Sequence, residues 1–394
     1  MPSGNTNHSN RGTAMRAEIV QAITKIEAGQ WNRLRGTDIP FLRHEFLAAM
    51  ESSGCVGPGT GWRPCHAALF DDHDKLIGAM PLYEKMNSWG EFVFDFAWAN
   101  AYEHAGLPYY PKLVSAIPYT PATSSRCLIA PHTDQPRALK ALTTVARQYA
   151  DEIGASSLHV LFPTQQEARQ FEAEGLLLRE DCQFHWHNRD YADFEAFLGE
   201  LTSIKRKKLR RERRRIFEAG IRFRIMEGGE LDAEAWRQIM PLYASSFWRR
   251  GRKPYLNEQF FLEVSQTLPD QIVVVLALFG DEPIATAICF RSADTLFGRY
   301  WGSSGRYHSL HFETCYYQGI EYCIANGLAH FEPGTQGEHK ISRGFVATRT
   351  WSAHWLSHPQ FAAAVNDYLD RERDYIDEYM DAVRAHEPYR QEPN

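Results

Sequence analysis

At 394 residues the chain is long enough for two domains of roughly 100–200 residues each. Its composition, 44% hydrophobic and 23% charged, is globular and excludes an intrinsically disordered chain. The net charge of −6 hides an asymmetry, because residues 205–215 hold nine bases and one acid, a local +8 that leaves −14 on the rest. A cationic strip on an acidic body suits an anionic partner. No stretch reaches the ~20 uninterrupted apolar residues that cross a bilayer, and the first 16 residues lack an apolar signal core, so a cytoplasmic protein is expected. Seven cysteines (Cys55, Cys65, Cys127, Cys182, Cys289, Cys315, Cys323) are scattered without a C-x-x-C pair, which suggests neither a disulfide framework nor a zinc site.

Taken in chain order, residues 1–14 are rich in Ser, Asn, Gly and Thr and read as a disordered tail. Residues 65–83 read as two strands joined by the polar turn Asp71-Asp72-His73-Asp74-Lys75. The segment 92–121 is aromatic and proline-rich, with Trp98, Tyr102, Tyr109, Tyr110 and Tyr119; it reads as a long loop that either covers a sheet or forms a site. A helical pattern over 137–153 leads into a strand over 158–162, and a further strand runs over 183–187. His185 and His187 share one face of that strand, as packed side chains or as metal ligands without a third partner nearby. A boundary near 188–191 divides the chain into 15–190 and 191–394.

The basic helix occupies 203–219, with Ser203 placed to cap its start and Gly220 to end it. Ile221, Phe223 and Ile225 alternate with Arg222 and Arg224 as a half-buried strand. A second hairpin spans 272–290, and both hairpins carry Ala-Leu-Phe-x-Asp, 209 positions apart at Ala68 and Ala277. Helix 312–326 and strand 328–331 then repeat the earlier helix–strand order, so one α/β unit occurs twice. An amphipathic helix over 361–386 closes the chain.

No G-x-S-x-G, H-E-x-x-H, Walker loop or G-x-G-x-x-G is present, which removes the common hydrolases, zincins, P-loop enzymes and dinucleotide binders. The densest polar segment is 299–345. The order strand, Tyr300-Trp301-Gly302-Ser303, loop, helix, strand, then a glycine-rich stretch closing on Lys340-Ile341-Ser342-Arg343-Gly344-Phe345 resembles the second domain of Fem-type aminoacyl and acyl transferases. It is most similar to the FemAB-like branch of the GNAT superfamily, proteins of peptidoglycan biosynthesis or recognition. The basic helix and the strand after it resemble that family's entry to its second domain, and the resemblance covers about 37–357.

The resemblance implies an α/β fold of tandem GNAT-like domains, mixed central sheets flanked by helices, with an interdomain cleft. It implies amide formation on an amine or peptide-like acceptor, with no tightly bound cofactor and with aminoacyl-tRNA or acyl-CoA as donor. The coenzyme-A pattern Arg/Gln-x-x-Gly-x-Gly/Ala is met only in part by Arg299-Tyr300-Trp301-Gly302-Ser303-Ser304, which sits at a strand end rather than a helix start. Acyl transfer to an amine needs oriented reactants, a proton acceptor and positive charge or N–H donors for the oxyanion. Lys340, Glu332, Arg343 and His339 are the catalytic candidates, Lys340 and Glu332 foremost, with His311 and Glu338 as further proton acceptors. Tyr300, Trp301, His311, Glu313, Trp98 and Tyr102 are candidates for substrate binding, and Arg206, Lys208, Arg210, Arg211 and Arg214 for donor phosphates. The bland readings stand beside these: Glu332 pairing with Lys340 or Arg343, Tyr300 and Trp301 as core aromatics, the charge run as a solvated face. A non-catalytic RNA- or phosphate-binding protein, or one that recognises a cell-wall precursor, is the alternative function.

Overall fold

The computed structural model describes residues 15–305, 307–335 and 337–390. The tail expected over 1–14 lies outside them. In the first half of the chain β1 Arg16–Val20, β2 Trp62–Pro64, β3 His66–Phe70, β4 Leu76–Met80, β5 Tyr83–Lys85, β6 Lys112–Ser115, β7 Leu128–Ile129, β8 Ser157–Leu161 and β9 Leu177–His187 form. In the second half follow β10 Ile221–Glu227, β11 Ile272–Phe279, β12 Glu282–Arg291, β13 Thr295–Ser303, β14 His330–Glu332 and β15 Val346–Leu356.

Both hairpins form from the turn chemistry that announced them. Asp71 Oδ1 accepts the N–H groups of His73 and Lys75 between β3 and β4. Between β11 and β12 the chain reverses on Gly280, whose φ of +63° favours glycine. Ala68 and Ala277 therefore occupy corresponding strands. The first unit departs from the second at Pro81, which has no N–H for a ladder. Where β12 is one strand, the first unit has β4 in a four-stranded sheet, β1-β3-β4-β7, and β5 in an 11-stranded sheet.

That large sheet has the order β10-β11-β12-β13-β14-β9-β15-β8-β6-β5-β2 and carries the duplication. β6 runs parallel to β8 across the helix Gln135–Glu152, and β13 runs parallel to β14 across the helical residues 310–325. The last strand of each unit then crosses to the other: β9 pairs with β14, β15 pairs with β8, and β9 and β15 pair with each other, all antiparallel. The two units are thus joined by exchanged strands, and the sheet has no edge at its centre.

Helix ends refine the expected elements. Asp134 accepts the N–H of Arg137 and Pro136 fits the first turn, so the helix begins at Gln135. The segment 92–121 is not a plain loop, since it holds the helix Phe96–His104 and β6. Between Leu310 and Ala325 the helix is interrupted by a π turn over Glu313–Tyr317. The basic helix spans Ser203–Glu218, so Ser203 is its first residue rather than its cap; Thr202 holds the cap position, with no side-chain cap bond among the described residues, and Gly220 beyond the helix has φ +74°. The closing helix is Pro359–Arg384, and among the described residues no helix is long and apolar enough to cross a membrane.

Where the exchanged β15 meets β8, two histidines are buried together. His159 Nδ1 lies 2.6 Å from His354 Nδ1, and each Nε2 is 2.8 Å from a serine hydroxyl, Ser157 or Ser352. Desolvation holds His159 down at about 3 and His354 well below its ordinary value. Both are neutral in the fold but take up protons when unfolded, so stability is full above the ordinary pKa and lost as pH falls from about 6.5 toward 3. The double variant His159→Gln, His354→Gln should flatten this loss by about 1.4 kcal/mol per pH unit for each histidine, read as urea midpoints between pH 6.5 and 4. An unchanged slope would count against the neutral pair.

Candidate active site

The two units meet where β13 and β14 part. Their parallel pairing runs Thr295 with His330, Leu296 with Phe331 and Phe297 with Glu332, and stops there. Pro333 follows and cannot extend the ladder. On the other edge of β13 the register with β12 slips, Ile288 facing Tyr300 and Cys289 facing Gly298, so Arg299 is the bulged residue. A bulge re-aims the side chain it carries. Arg299 is turned inward, its side chain only 2% exposed and its guanidinium carbon 5.1 Å from the Phe41 ring centre and 5.2 Å from that of Phe297.

Three ionisable groups collect under this point. Arg299 Nη2 stands 3.8 Å from Glu332 Oε2, and among the described residues Nε and Nη2 of Arg299 and Oε2 of Glu332 have no hydrogen-bond partner. Desolvation pushes the Glu332 carboxyl up to about 7, against the pull of Arg299 and the Thr123 N–H. Lys340, 1% exposed, donates to the Gly334 carbonyl at 2.5 Å. Burial, with Arg299 adding, brings its ammonium down to about 7. Arg299 thus acts on both, and at neutral pH each is poised between its two protonation states.

Above the parting strands opens a cleft of about 810 Å³. Gly298, Arg299, Tyr300, Trp301, His311 and Gly334 line one side. Opposite stand aromatic side chains of the first unit, Trp89, Phe92, Phe94 and Phe96, with Arg250 and Arg252 at the wall. The aromatic strap is anchored by buried charges. Lys112 Nζ donates to Ser88 Oγ at 2.9 Å, to Glu91 Oε2 at 2.8 Å and to Asp95, while Lys85 Nζ donates to the Trp89 carbonyl at 3.0 Å. Desolvation pushes Glu91 up to about 7, whereas Lys112 overrides desolvation at Asp95 and holds it at about 2.

The FemAB-like family, described as peptidoglycan biosynthesis/recognition, matches residues 22–391. The chain belongs to that family. FemX superposes with a TM-score of 0.53 at 10% identity, over 89% of this chain and 100% of FemX. The C-terminal domain of a lysylphosphatidylglycerol synthetase from Agrobacterium fabrum gives 0.52 at 9% identity, over 86% and 93% of the two chains. L-PGS from Bacillus licheniformis gives 0.50 at 10% identity, over 82% and 96%. Such likenesses speak for the fold alone, a mixed α/β arrangement of two repeated units flanked by helices, as expected from the sequence. No curated protein matches the chain at a significant level.

In this FemAB-like protein Tyr300, Trp301 and His311 come to the cleft, and His311 packs edge-on to Trp301 at 5.2 Å. Burial lowers His311 to about 4. The other candidates lie elsewhere. Arg343 donates to both oxygens of Glu212, at 2.9 and 3.0 Å, and to the Tyr317 hydroxyl, so its guanidinium clamps the basic helix to the glycine-rich stretch. Glu332 faces Arg299 instead of Lys340 or Arg343. His339 is exposed, with Nε2 2.8 Å from the Tyr316 hydroxyl. Glu313 is buried against Arg213. Trp98 and Tyr102 belong to a small core under the closing helix, beside Leu356, Val365 and Leu369. His185 bonds Gln183 at 3.2 Å, and His187 Nδ1 sits 3.0 Å from His330 Nδ1.

The basic helix divides by face. Arg213 is turned toward Glu313 and Glu321 and Arg210 pairs with Glu195, while Lys208 is 3.4 Å from the Ser342 hydroxyl and Arg206 reaches the Gly199 carbonyl at 3.5 Å. Lys207, Arg211 and Arg214 face solvent, Arg214 with only a 3.9 Å contact to Glu218. Arg299, Arg250 and Arg252 had no assigned role in the sequence reading. The available signal was Arg299 inside the otherwise apolar strand that runs into Tyr300-Trp301-Gly302.

Proposed function

We propose that the protein is a cytoplasmic acyl or aminoacyl transferase that forms an amide on an amine or peptide-like acceptor, with aminoacyl-tRNA or acyl-CoA as donor. The observation that carries this reading is the buried trio Arg299, Glu332 and Lys340 beneath the parting of β13 and β14, from which Arg299 reaches an aromatic cleft with further arginines in its wall. The amine nitrogen attacks the acyl carbonyl carbon, a C–N bond forms, and the donor's thiolate or ribose oxygen leaves with the electron pair. Glu332, whose Oε2 has no hydrogen-bond partner among the described residues and whose pKa is about 7, receives the amine proton and returns it to the leaving group. Arg299 and Lys340 provide a positive field for the developing oxyanion, strong because the surroundings are dry.

The exposed bases suit the polyanionic donor. Replacing Lys207, Arg211 and Arg214 with Gln should lower the dependence of log K on log salt for tRNA by about 2–3, since each lost phosphate contact removes roughly 0.7–0.9. An unchanged slope would leave these bases as a solvated face. Native mass spectrometry of protein purified from its own host tests the reading as a whole. A co-purifying acyl-CoA or aminoacyl-tRNA that then acylates an amine in vitro supports it, and donors that bind without any transfer would favour a pure binding role.

A further inference from the structure

Six of the twelve large apolar side chains exposed among the described residues lie on two segments that wall the cleft, 86–107 and 248–253. Met86, Trp89, Phe94 and Trp248 are each more than half exposed, and Phe96 and Leu107 over a third. The segments touch where the Arg252 guanidinium lies over the Trp89 ring, 4.6 Å from its centre. Phe96 continues the row, its ring 6.1 Å from that of Trp89 and 6.0 Å from that of Phe94. The patch extends past the cleft, because Met86, Leu107, Trp248 and Lys253 do not line it. Within it the helix Phe96–His104 buries Trp98 and Tyr102 and leaves Phe96, Ala97, Asn100 and Ala101 outside, where a water-facing helix ordinarily shows charge.

Charge at this rim has one sign. Between Lys85 and Glu103 the only charged residues are Glu91 and Asp95, and both are buried on Lys112. Residues 248–253 read Trp-Arg-Arg-Gly-Arg-Lys, all exposed and without an acid. Arg249 donates to the Ser303 carbonyl at 3.0 Å and holds the loop, whereas Arg250, Arg252 and Lys253 have no carboxylate partner among the described residues. On a chain of net charge −6 these are bare cations set beside bare aromatics. Contiguous apolar surface of this kind ordinarily marks a contact with another body.

From this pairing we infer that the rim is a docking surface for an anionic lipid bilayer. Trp89, Phe94, Phe96 and Trp248 enter the interfacial layer, where aromatic rings are favoured, and Arg250, Arg252 and Lys253 meet the lipid phosphates. Charge complementarity selects the occupant. RNA would answer the cations but leave the apolar helix face bare, and the core of an interface with a soluble protein is depleted of charge. A bilayer offers an anionic layer and an apolar one within about 5–10 Å of depth. The inference goes beyond the transferase reading and does not depend on it.

The probes are phosphatidylcholine vesicles with and without about one third phosphatidylglycerol, with binding measured by flotation. The full chain should bind the anionic vesicles at least about tenfold more tightly than the neutral ones. The variant Arg250→Gln, Arg252→Gln, Lys253→Gln should lose about a hundredfold, about fivefold for each cation near an anionic surface. Trp89→Ser with Phe94→Ser should lose about tenfold or more, with little change in urea midpoint because both side chains are exposed. The basic-helix variant Lys207→Gln, Arg211→Gln, Arg214→Gln is the control and should stay within about threefold of the wild type. Lipids brominated in their acyl chains should quench tryptophan fluorescence in the wild type and much less in Trp89→Phe, Trp248→Phe, which keeps the rings and so the fold. Absence of binding to anionic vesicles, a loss confined to the basic-helix variant, or quenching that persists without Trp89 and Trp248 would overturn the bilayer. So would rim-dependent dimers in sedimentation, or rim-dependent RNA binding, in a protein that ignores vesicles.

Discussion

Lys340→Met is expected to lower kcat by ~100–1000-fold, the usual loss when one preorganised positive group is withdrawn from a developing oxyanion. KM for the donor should hold, because the charge matters when the oxyanion forms. Folding should suffer little: among the described residues Lys340 has no carboxylate partner, and the side chain loses one hydrogen bond, to the Gly334 carbonyl, worth about 1 kcal/mol. Glu332→Gln should cost turnover by ~100–10,000-fold. The two groups also predict the shape of the pH profile. Glu332 must be ionised to accept a proton and Lys340 must be charged to act, and both stand at about 7. The wild-type rate should therefore peak narrowly near neutrality. Glu332→Gln should remove the acid limb and Lys340→Met the alkaline limb, while Lys340→Arg should restore part of the rate and push the alkaline limb upward. Variants that keep the full bell shape, or that melt far below the wild type, would remove these residues from the mechanism.

Gly302→Ala should be the most damaging single methyl on β13. A Cβ there would stand 1.7 Å from the Leu242 carbonyl oxygen and 2.4 Å from its carbon, in the helix Ala233–Trp248 that packs on β13. Backbone cannot rotate aside as a side chain can, so helix and strand must separate. The expected cost is about 3 kcal/mol or more, the upper range for overpacking. The same helix brings Tyr243 edge-on to Tyr300 at 5.1 Å and supplies Ser246 and Phe247 to the cleft, so donor binding should weaken with stability. Gly199→Ala is the contrasting control. It lies in the helix Phe194–Glu200 with open space around its Cβ, and should be neutral or gain up to about 1 kcal/mol. Urea midpoints for the two variants measure both effects, and a Gly302→Ala protein as stable as the wild type would refute the close approach.

The hairpins, the basic helix, its glycine stop and the closing helix were readable from the residues alone. Each depends on turn or cap chemistry, or on periodicity, acting over a few neighbours: Asp71 closing its own turn, Gly280 and Gly220 accepting positive φ. The duplication was legible for the same reason. Spacing could not separate Lys340 from Arg343. Their fates differ because Arg343 meets Glu212, 131 positions away. Nor could aromatic content separate Tyr300 and Trp301, which reach the cleft, from Trp98 and Tyr102, which pack under the closing helix.

The exchange of β9 and β15 and the inward turn of Arg299 belong to the tertiary structure. A strand's own residues make it a strand without naming its neighbour, because the ladder groups are the same in every strand and the partner is chosen by what the whole sheet can bury. The pKa values of about 7 at Glu332 and Lys340 arise at that level too, since desolvation, their largest cause, exists only once the two units have closed over them.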